Sequence, residues 1–96
     1  MPTEQTPEFE KAVKESHNLK SKPDNSELLE LYGLFKQGTQ DPPFDESKTP
    51  SMFDLKEKIK RSAWQKVHEA GVEPEDAQKR YVEAMNKLKV KYGLKG

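Results

Sequence analysis

The segment from residue 74 to residue 92 carries apolar and aromatic side chains at the spacing of one helical face. Successive members lie 4, 3, 1, 3 and 4 residues apart, as in an amphipathic helix of about five turns. Pro74 in the first turn and Gly93 after the last turn favour helix boundaries there. Such a helix is stable mainly through packing of its apolar face, so the chain must fold by packing helices together. The members of the face are Ala77, Tyr81, Ala84, Met85, Leu88 and Tyr92.

Three further segments have helical periodicity, and segments with proline or glycine separate them. No segment alternates in polarity over the length of a strand. We therefore expect one all-α domain over residues 1–96, folded as a four-helix bundle. The connection over residues 40–51 contains three prolines and no periodicity, and loops of this length are often functional. The expected helices span approximately residues 7–20, 25–38, 52–69 and 74–92.

The first and third predicted helices each have one apolar face at three- and four-residue spacing. The face of the first helix consists of Phe9, Ala12, Val13, Ser16 and His17. In the third helix Trp64 broadens an expected apolar stripe that consists of Phe53, Ile59, Ala63 and Val67.

The composition places few demands on the location or chemistry of the chain. Residues 1–50 carry 6 basic and 10 acidic side chains, a difference of −4, whereas residues 51–96 carry 11 and 7, a difference of +4. The two halves can therefore attract each other in a bundle, and the basic half can also meet an anion; the charge count does not decide between the two. The chain has no cysteine, no secretory signal pattern and no apolar run long enough to cross a bilayer. We expect a cytoplasmic monomer without stable membrane insertion.

Catalysis is disfavoured by the residues available. The two histidines, His17 and His68, fall on different predicted helices, and no cysteine can complete a metal site. No glycine-rich phosphate loop is present, and nothing local marks a nucleophile with its base. We therefore expect neither an enzyme nor a bound metal or cofactor.

A more informative pattern is a set of phenols and ammoniums within apolar helix faces. Tyr32 and Lys36 lie four residues apart on a helix whose other residues are largely apolar, and Lys56 and Lys60 repeat that spacing. Together with Tyr81, these side chains could bind a phosphorylated, partly apolar ligand. Each also has a structural interpretation: the lysines of KEKIKR as a solvated helix face, and Tyr81, Trp64 and His17 as packing residues. Lys36 fits a purely structural role least well.

In this setting the chain resembles the acyl-CoA-binding protein family over nearly its whole length. The segments that carry the resemblance occur in the family's order. LYGLFKQGT matches its Tyr-x-x-Tyr/Phe-Lys-Gln-x-Thr pattern, and KEKIKRSAW matches its Lys-x-Lys-x-x-Ala-Trp region. The remaining segments are FEKAV, NLKSKP, Pro50 and EDAQKRYVEAMNKLKVKYG.

The resemblance implies an up-down-down-up four-helix bundle that binds long-chain fatty acyl-CoA in a bowl and acts as a carrier and pool former. By position, Lys36 would pair with the 3′-phosphate of the CoA ribose, and Tyr32 would hydrogen-bond phosphate beside the adenine. Lys60, with a weaker contribution from Lys56, would meet further phosphates. Tyr81 would border the adenine and the pantetheine.

The same resemblance implies an acyl side of the bowl and several departures from the family pattern. Phe9, Ala12 and Leu28 would line the acyl chain. His17 stands where the family usually has lysine, and a neutral imidazole can donate only one hydrogen bond. Phe35 occupies the second aromatic position of the motif, which is often tyrosine. Arg61 replaces a common tryptophan beside Lys60. The connection with Pro42-Pro43 is longer than is usual in the family and lacks the common Gly-Asp.

Two other function classes fit parts of the sequence. A helical protein-interaction module would use an apolar groove with Tyr32 and Lys36 at its rim. Nucleic-acid binding through KEKIKR is disfavoured because the net charge is zero and Glu57 interrupts the basic run.

Overall fold

The computed structural model describes residues 3–95. Met1, Pro2 and Gly96 of the expected domain lie outside this range. Within it the chain contains four α-helices, one short 3₁₀ helix and no β-strand, apart from an isolated bridge between Leu19 and Leu94. The predicted all-α four-helix bundle is therefore confirmed. The elements are α1 (Pro7–Ser16), α2 (Asn25–Thr39), the 3₁₀ helix Phe44–Glu46, α3 (Leu55–Glu69) and α4 (Pro74–Tyr92).

Side-chain caps explain where the first three helices begin. Thr6 accepts a hydrogen bond from the Phe9 N–H, and Pro7 occupies the first turn of α1. Asp24 forms a reciprocal capping box with Glu27 at the start of α2. Asp54 caps α3 by accepting from the Glu57 N–H.

α1 is shorter than expected, because it ends at Ser16 rather than near residue 20. The backbone beyond it leaves the helix to pair with the C-terminal segment. The Lys20 N–H donates to the Gly93 carbonyl at 2.9 Å, and the Lys95 N–H donates to the Asn18 carbonyl at 2.7 Å. These long-range hydrogen bonds replace the next helical turn, which no local sequence pattern could indicate.

The expected apolar stripe of α3 is correct only in its C-terminal half. Trp64 is buried and Ala63 and Val67 are half-buried, whereas Phe53 precedes the helix and, like Ile59, is exposed. The reason is that α2 meets α3 around Ala63 and Val67. The first turns of α3 therefore extend beyond the core.

α2 lies at the centre of the bundle, since it packs against both α3 and α4, and α1 packs against α4. The core is formed mainly by α1, α2 and α4, with one residue from each of two connections. Its buried residues are Phe9, Ala12, Leu19, Leu31, Leu34, Val72, Ala77, Tyr81, Met85 and Leu88.

Close backbone contact fixes the position of α2 against α3. Gly33 has no Cβ, and a Cβ placed there would lie 2.8 Å from the Ala63 carbonyl oxygen and 3.3 Å from Val67 Cγ2. The glycine therefore permits an approach that no other residue would allow. This approach sets the distance between the two helices that flank the candidate site described below.

Polar contacts join the acidic half of the chain to the basic half, which is one of the two interpretations that the charge division allowed. Lys89 Nζ contacts both carboxylate oxygens of Glu15 at 3.0 and 3.1 Å. Lys91 Nζ donates to Glu27 at 3.0 Å, and the Tyr92 hydroxyl donates to the same carboxylate at 2.6 Å. The start of α2 is thereby tied to the end of α4.

A buried glutamine holds the N-terminal segment against this bundle. The Gln78 side chain accepts from the Thr6 N–H at 3.0 Å and donates to the carbonyls of Glu4 and Gly38 at 3.0 and 2.9 Å. It is 1% exposed, so these hydrogen bonds satisfy groups that water cannot reach.

Gly33→Ala is expected to destabilise the fold although alanine is normally better than glycine in a helix by about 1 kcal/mol. The added methyl group would clash with the backbone of α3, and overpacking of this kind costs about 1–3 kcal/mol. Urea unfolding measures the change, and Ser62→Ala, at an exposed position of α3, controls for helix propensity. An increase in stability would show that the two helices separate freely.

Tyr92→Phe is expected to lower the free energy of unfolding at neutral pH, because it removes a donor to Glu27. The Tyr92 hydroxyl, followed by the Asp24 N–H and Lys91, holds the pKa of Glu27 below its ordinary 4.5. The resulting stabilisation is complete above that pH and is lost as the pH falls through the folded-state pKa. The wild type and the variant should therefore differ most at neutral pH and less in acid. Urea unfolding at about pH 7 and about pH 3 tests this, and an equal difference at both would contradict it.

Candidate functional site

Two adjacent concavities share one side chain, Tyr32. The first, here called the loop cavity, lies between α2, α3 and the connection after α2, and has a volume of about 390 Å³. The second, here called the α1–α2 groove, has a volume of about 340 Å³ and is bounded by α1, α2 and Tyr81 of α4. Both are in the size range of small-molecule sites. Tyr32 forms part of the wall of each, so one ligand could occupy both.

Aromatic contacts hold the connection after α2, which lines the loop cavity. Phe44 of the 3₁₀ helix packs edge-on against Trp64 with ring centres 5.1 Å apart, and it stacks on His68 at 4.7 Å. The Arg61 guanidinium lies 4.2 Å from the Phe44 ring centre and donates to Ser47 at 3.2 Å. The long connection, whose length suggested a functional loop, is thus fixed to α3.

Trp64 is held in the wall of the loop cavity by a buried amide. Its indole N–H donates to Gln37 Oε1 at 3.1 Å, and Gln37 Nε2 donates to the Val72 carbonyl at 2.7 Å. Trp64 is 3% exposed and Gln37 is 6% exposed. Both polar groups of the glutamine are therefore satisfied, and the ring has a fixed orientation.

Cationic side chains converge on the loop cavity. Lys36 Nζ lies 5.2 Å from the centre of the Trp64 ring and donates to the Asp41 carbonyl at 3.3 Å. Lys48 and Arg61 also line the cavity. Arg61 Nε is buried and has no hydrogen-bond partner within the described residues. Three positive charges therefore border this space.

Two acidic side chains, Glu46 and Glu57, also line the loop cavity. Glu57 lies 3.5 Å from Lys60 Nζ, and that ammonium lies 5.6 Å from the centre of the Tyr32 ring. The charge of Glu57 is thus partly compensated, and Lys60 is positioned beside the phenol that the two concavities share.

Burial raises the pKa of both phenols at the site. For Tyr32 burial is the largest cause, Glu57 adds to the increase and Lys60 opposes it. For Tyr81 burial is again the main cause. Since an ordinary tyrosine is already neutral at pH 7, both side chains remain O–H donors at neutral and mildly alkaline pH.

The α1–α2 groove is predominantly apolar. Phe35 and Tyr81 lie at its base, where their ring centres are 6.4 Å apart. Leu28 forms part of the wall, and His17, exposed at the C-terminal cap of α1, lies at the edge. The other lining residues are Val13, Ser16, Pro23, Leu31 and Tyr32.

The structure brings together most of the predicted site residues. Tyr32 and Lys36 line the loop cavity, and Lys60 lies over Tyr32. The α1–α2 groove contains four more members of the predicted set: Tyr81, His17, Leu28 and Phe35.

Three predicted residues lie elsewhere. Phe9 and Ala12 are 0% and 2% exposed in the core, so neither offers surface to a ligand in this structure. Phe9 instead packs behind the groove, edge-on to Tyr81 at 5.1 Å and stacked with Phe35 at 6.0 Å. Lys56 is exposed in the first turns of α3 and lines neither concavity.

Several site residues were not predicted. Lys48 and Ser47 lie in the connection without periodicity, where only the length of the loop gave a signal. Arg61 was identified as a departure from the family pattern but not as a site residue. Gln37 is the glutamine of the Tyr-x-x-Tyr/Phe-Lys-Gln-x-Thr pattern, but it was not predicted as a site residue.

A larger groove of about 460 Å³ lies on the outer side of α2 and α3. It is lined by Leu29, Ile59, Ala63 and Val67 and has Glu30 and Lys66 as its charged residues. It lacks a convergent set of cations and phenols, so we favour the pair of concavities that meet at Tyr32. No group of three or more potential metal ligands occurs within residues 3–95, and no helix in that range is long and apolar enough to span a bilayer.

These features define an all-α protein with an apolar groove next to a cation-lined cavity. Residues 6–85 match the family model described as acyl CoA binding protein. Acyl-CoA-binding protein homolog 1 of Caenorhabditis elegans is 46% identical over 85 residues, which cover 88% of this chain and 94% of that protein. The acyl-CoA-binding protein homolog of Manduca sexta is 43% identical over 90 residues, 91% of this chain and 93% of that protein.

A solved structure agrees with the sequence relatives. The crystal structure of Oryza sativa acyl-CoA-binding protein 2 superimposes with a TM-score of 0.76 at 32% identity, covering 88% of this chain and 89% of that one. The chain belongs to the acyl-CoA-binding protein family. The resemblance recognised in its sequence motifs is confirmed.

Proposed function

We propose that this chain binds long-chain fatty acyl-CoA esters and acts as a cytoplasmic carrier and pool former. The observation that carries the proposal is the contact between the loop cavity and the α1–α2 groove at Tyr32. A ligand with a phosphorylated head and a long apolar tail has chemistry that matches the two spaces in turn. The names of the family relatives support the same ligand class.

The head group would occupy the loop cavity. Lys36 and Arg61 would pair with phosphate oxygens, with Lys48 and Lys60 at the margins and Lys56 as a weaker, peripheral contributor. Charge-assisted hydrogen bonds of this kind are the stronger class in proteins. The unpartnered Arg61 Nε–H would gain an acceptor, which removes a buried unsatisfied donor.

The phenols would connect head and tail. Because the Tyr32 and Tyr81 pKa values are raised, both side chains would donate hydrogen bonds to phosphate or adenine without adding negative charge. The Tyr32 ring also offers a face for the adenine to stack on, whereas the Tyr81 ring is 4% exposed and packs against Phe9 and Phe35. His17 at the edge of the groove would supply one further donor.

The acyl chain would lie in the α1–α2 groove against Leu28 and Phe35. Phe9 and Ala12 would act indirectly, by supporting the Phe35 and Tyr81 rings from within the core. The proposed role is binding without chemical conversion, because a bound thioester would meet phenols, ammoniums and apolar groups but no arranged nucleophile and base. We propose that the chain does this as a monomer.

A series of acyl-CoA esters of increasing chain length tests this function. Each buried CH₂ contributes about 0.8 kcal/mol, so two added carbons should strengthen binding roughly tenfold until the groove is filled. Calorimetry measures the series, with free CoA as the control for head-group binding. Equal affinity for free CoA and palmitoyl-CoA would contradict the proposed use of the groove, and absence of binding to every member would refute the function.

Lys36→Ala combined with a ligand lacking one phosphate tests the head-group assignment. The variant should bind palmitoyl-CoA roughly tenfold to hundredfold more weakly, since a hydrogen bond to a charged group contributes about 1.5–3 kcal/mol. For palmitoyl-3′-dephospho-CoA the wild type and the variant should bind alike. Lys79→Ala, at an exposed position of α4, is the matched charge control.

Urea unfolding of the same variant separates an effect on ligand binding from an effect on folding. Lys36 is half-buried rather than in the core, so its removal should change the urea midpoint little. If the variant weakens both ligands equally, Lys36 does not contact the 3′-phosphate.

A further inference from the structure

The start of α3 displays the largest exposed apolar side chains of the described residues, together with Val90 on α4. Phe53 is 90% exposed, Met52 is 71% exposed and Leu55 is 69% exposed. Ile59, 53% exposed, lies one helical turn beyond Leu55. These four residues, here called the α3 apolar patch, fall within residues 52–59 and are not used by the core. Clustered exposed apolar side chains mark interaction sites.

Hydrogen bonds hold the turn that carries the patch. The Lys58 ammonium donates to the Met52 carbonyl at 3.1 Å, and the Asp54 N–H donates to the Ser51 carbonyl at 3.0 Å. The Phe53 N–H also donates to the Ser51 hydroxyl at 3.3 Å. The local structure therefore presents the apolar side chains outward instead of folding them back onto the bundle.

Basic residues surround the patch. With 100° between successive helical residues, Lys56 and Lys58 fall on opposite sides of the row formed by Leu55 and Ile59. Residues 52–66 contain five basic and two acidic side chains. Lys60 lies over Tyr32 and Arg61 lines the loop cavity, so Lys56, Lys58 and Lys66 are the basic residues left for this surface. Both acids have partners, because Asp54 caps the helix and Glu57 lies 3.5 Å from Lys60.

We propose that the α3 apolar patch docks this chain reversibly onto the surface of an anionic lipid bilayer. The side chains of Met52, Phe53 and Leu55 enter the boundary between headgroups and acyl chains, while the exposed Lys56 and Lys66 contact the anionic headgroups. Apolar insertion and local positive charge together give reversible surface binding. The net charge of the whole chain is zero, so the attraction is local to this surface.

Charge complementarity favours a bilayer over a second copy of the chain. A symmetric dimer through the patch would bring two surfaces of the same positive charge together. An anionic bilayer instead presents the opposite charge over an apolar interior. The docking does not depend on the proposed acyl-CoA function, since Met52, Phe53 and Leu55 line neither the loop cavity nor the α1–α2 groove.

Flotation with lipid vesicles tests the proposal on the ligand-free chain. Wild type is expected to float with vesicles of phosphatidylcholine and phosphatidylserine, and not with phosphatidylcholine alone. The double variant Met52→Ser/Phe53→Ser should bind the anionic vesicles at least about tenfold more weakly than the wild type does. Val90→Ser is the matched control, because Val90 is an 89% exposed apolar residue on α4, and it should bind like wild type.

A second pair of variants tests the charge contribution. Lys56→Gln/Lys66→Gln, at two exposed positions of α3, should weaken binding to the anionic vesicles about tenfold, and added salt should weaken the wild type in the same direction. Lys58 is left unchanged because its ammonium holds the turn at Met52. Lys79→Gln/Lys87→Gln on α4 makes the same change in net charge outside the patch and should have little effect.

Several outcomes would overturn the proposal. The first is that the wild type binds neutral and anionic vesicles equally well, and the second is that it does not bind anionic vesicles. The third is that Val90→Ser loses as much affinity for anionic vesicles as Met52→Ser/Phe53→Ser does. Flotation that requires added acyl-CoA would identify the ligand tail as the anchor instead. A dimer seen without vesicles by analytical ultracentrifugation, and lost in Met52→Ser/Phe53→Ser, would identify a second copy as the occupant. Unchanged circular dichroism of the variants excludes misfolding as the cause.

Discussion

The close approach of α2 to α3 at Gly33 is the constraint on which the site depends. Tyr32 directly precedes this glycine, and Lys36 lies one turn beyond Tyr32. When the backbone of residue 33 rests against the Ala63 carbonyl, Tyr32 is brought between the two concavities and Lys36 is brought close to Trp64. The packing that stabilises the bundle thereby also assembles the candidate site.

Local patterns predicted those parts of the structure that local physical chemistry determines. The apolar face from Ala77 to Tyr92 predicted both the length of α4 and the side of it that is buried, because apolar periodicity reflects burial directly. Proline and cap residues located the start of α2. Tyr32 and Lys36 were recognisable because a phenol and an ammonium four residues apart are unusual in a largely apolar helix.

The features that were missed depend on contacts between distant residues. α1 ends early because Lys20 pairs with Gly93, and Phe9 is too deep to meet a ligand because Phe35 and Tyr81 cover it. Phe53 was expected inside and is exposed. The loop cavity itself requires Phe44 to reach Trp64, a contact between a segment without periodicity and a helix 20 residues later.

The central claim is that one ligand spans both concavities across Tyr32, and nuclear magnetic resonance of the ¹⁵N-labelled chain tests it most directly. Free CoA should shift the signals of Lys36, Lys48 and the Trp64 indole. Palmitoyl-CoA should shift these and, in addition, Val13 and Leu28 in the α1–α2 groove. Shifts from palmitoyl-CoA confined to the outer groove at Leu29 and Ala63, with Tyr32 unchanged, would contradict the account.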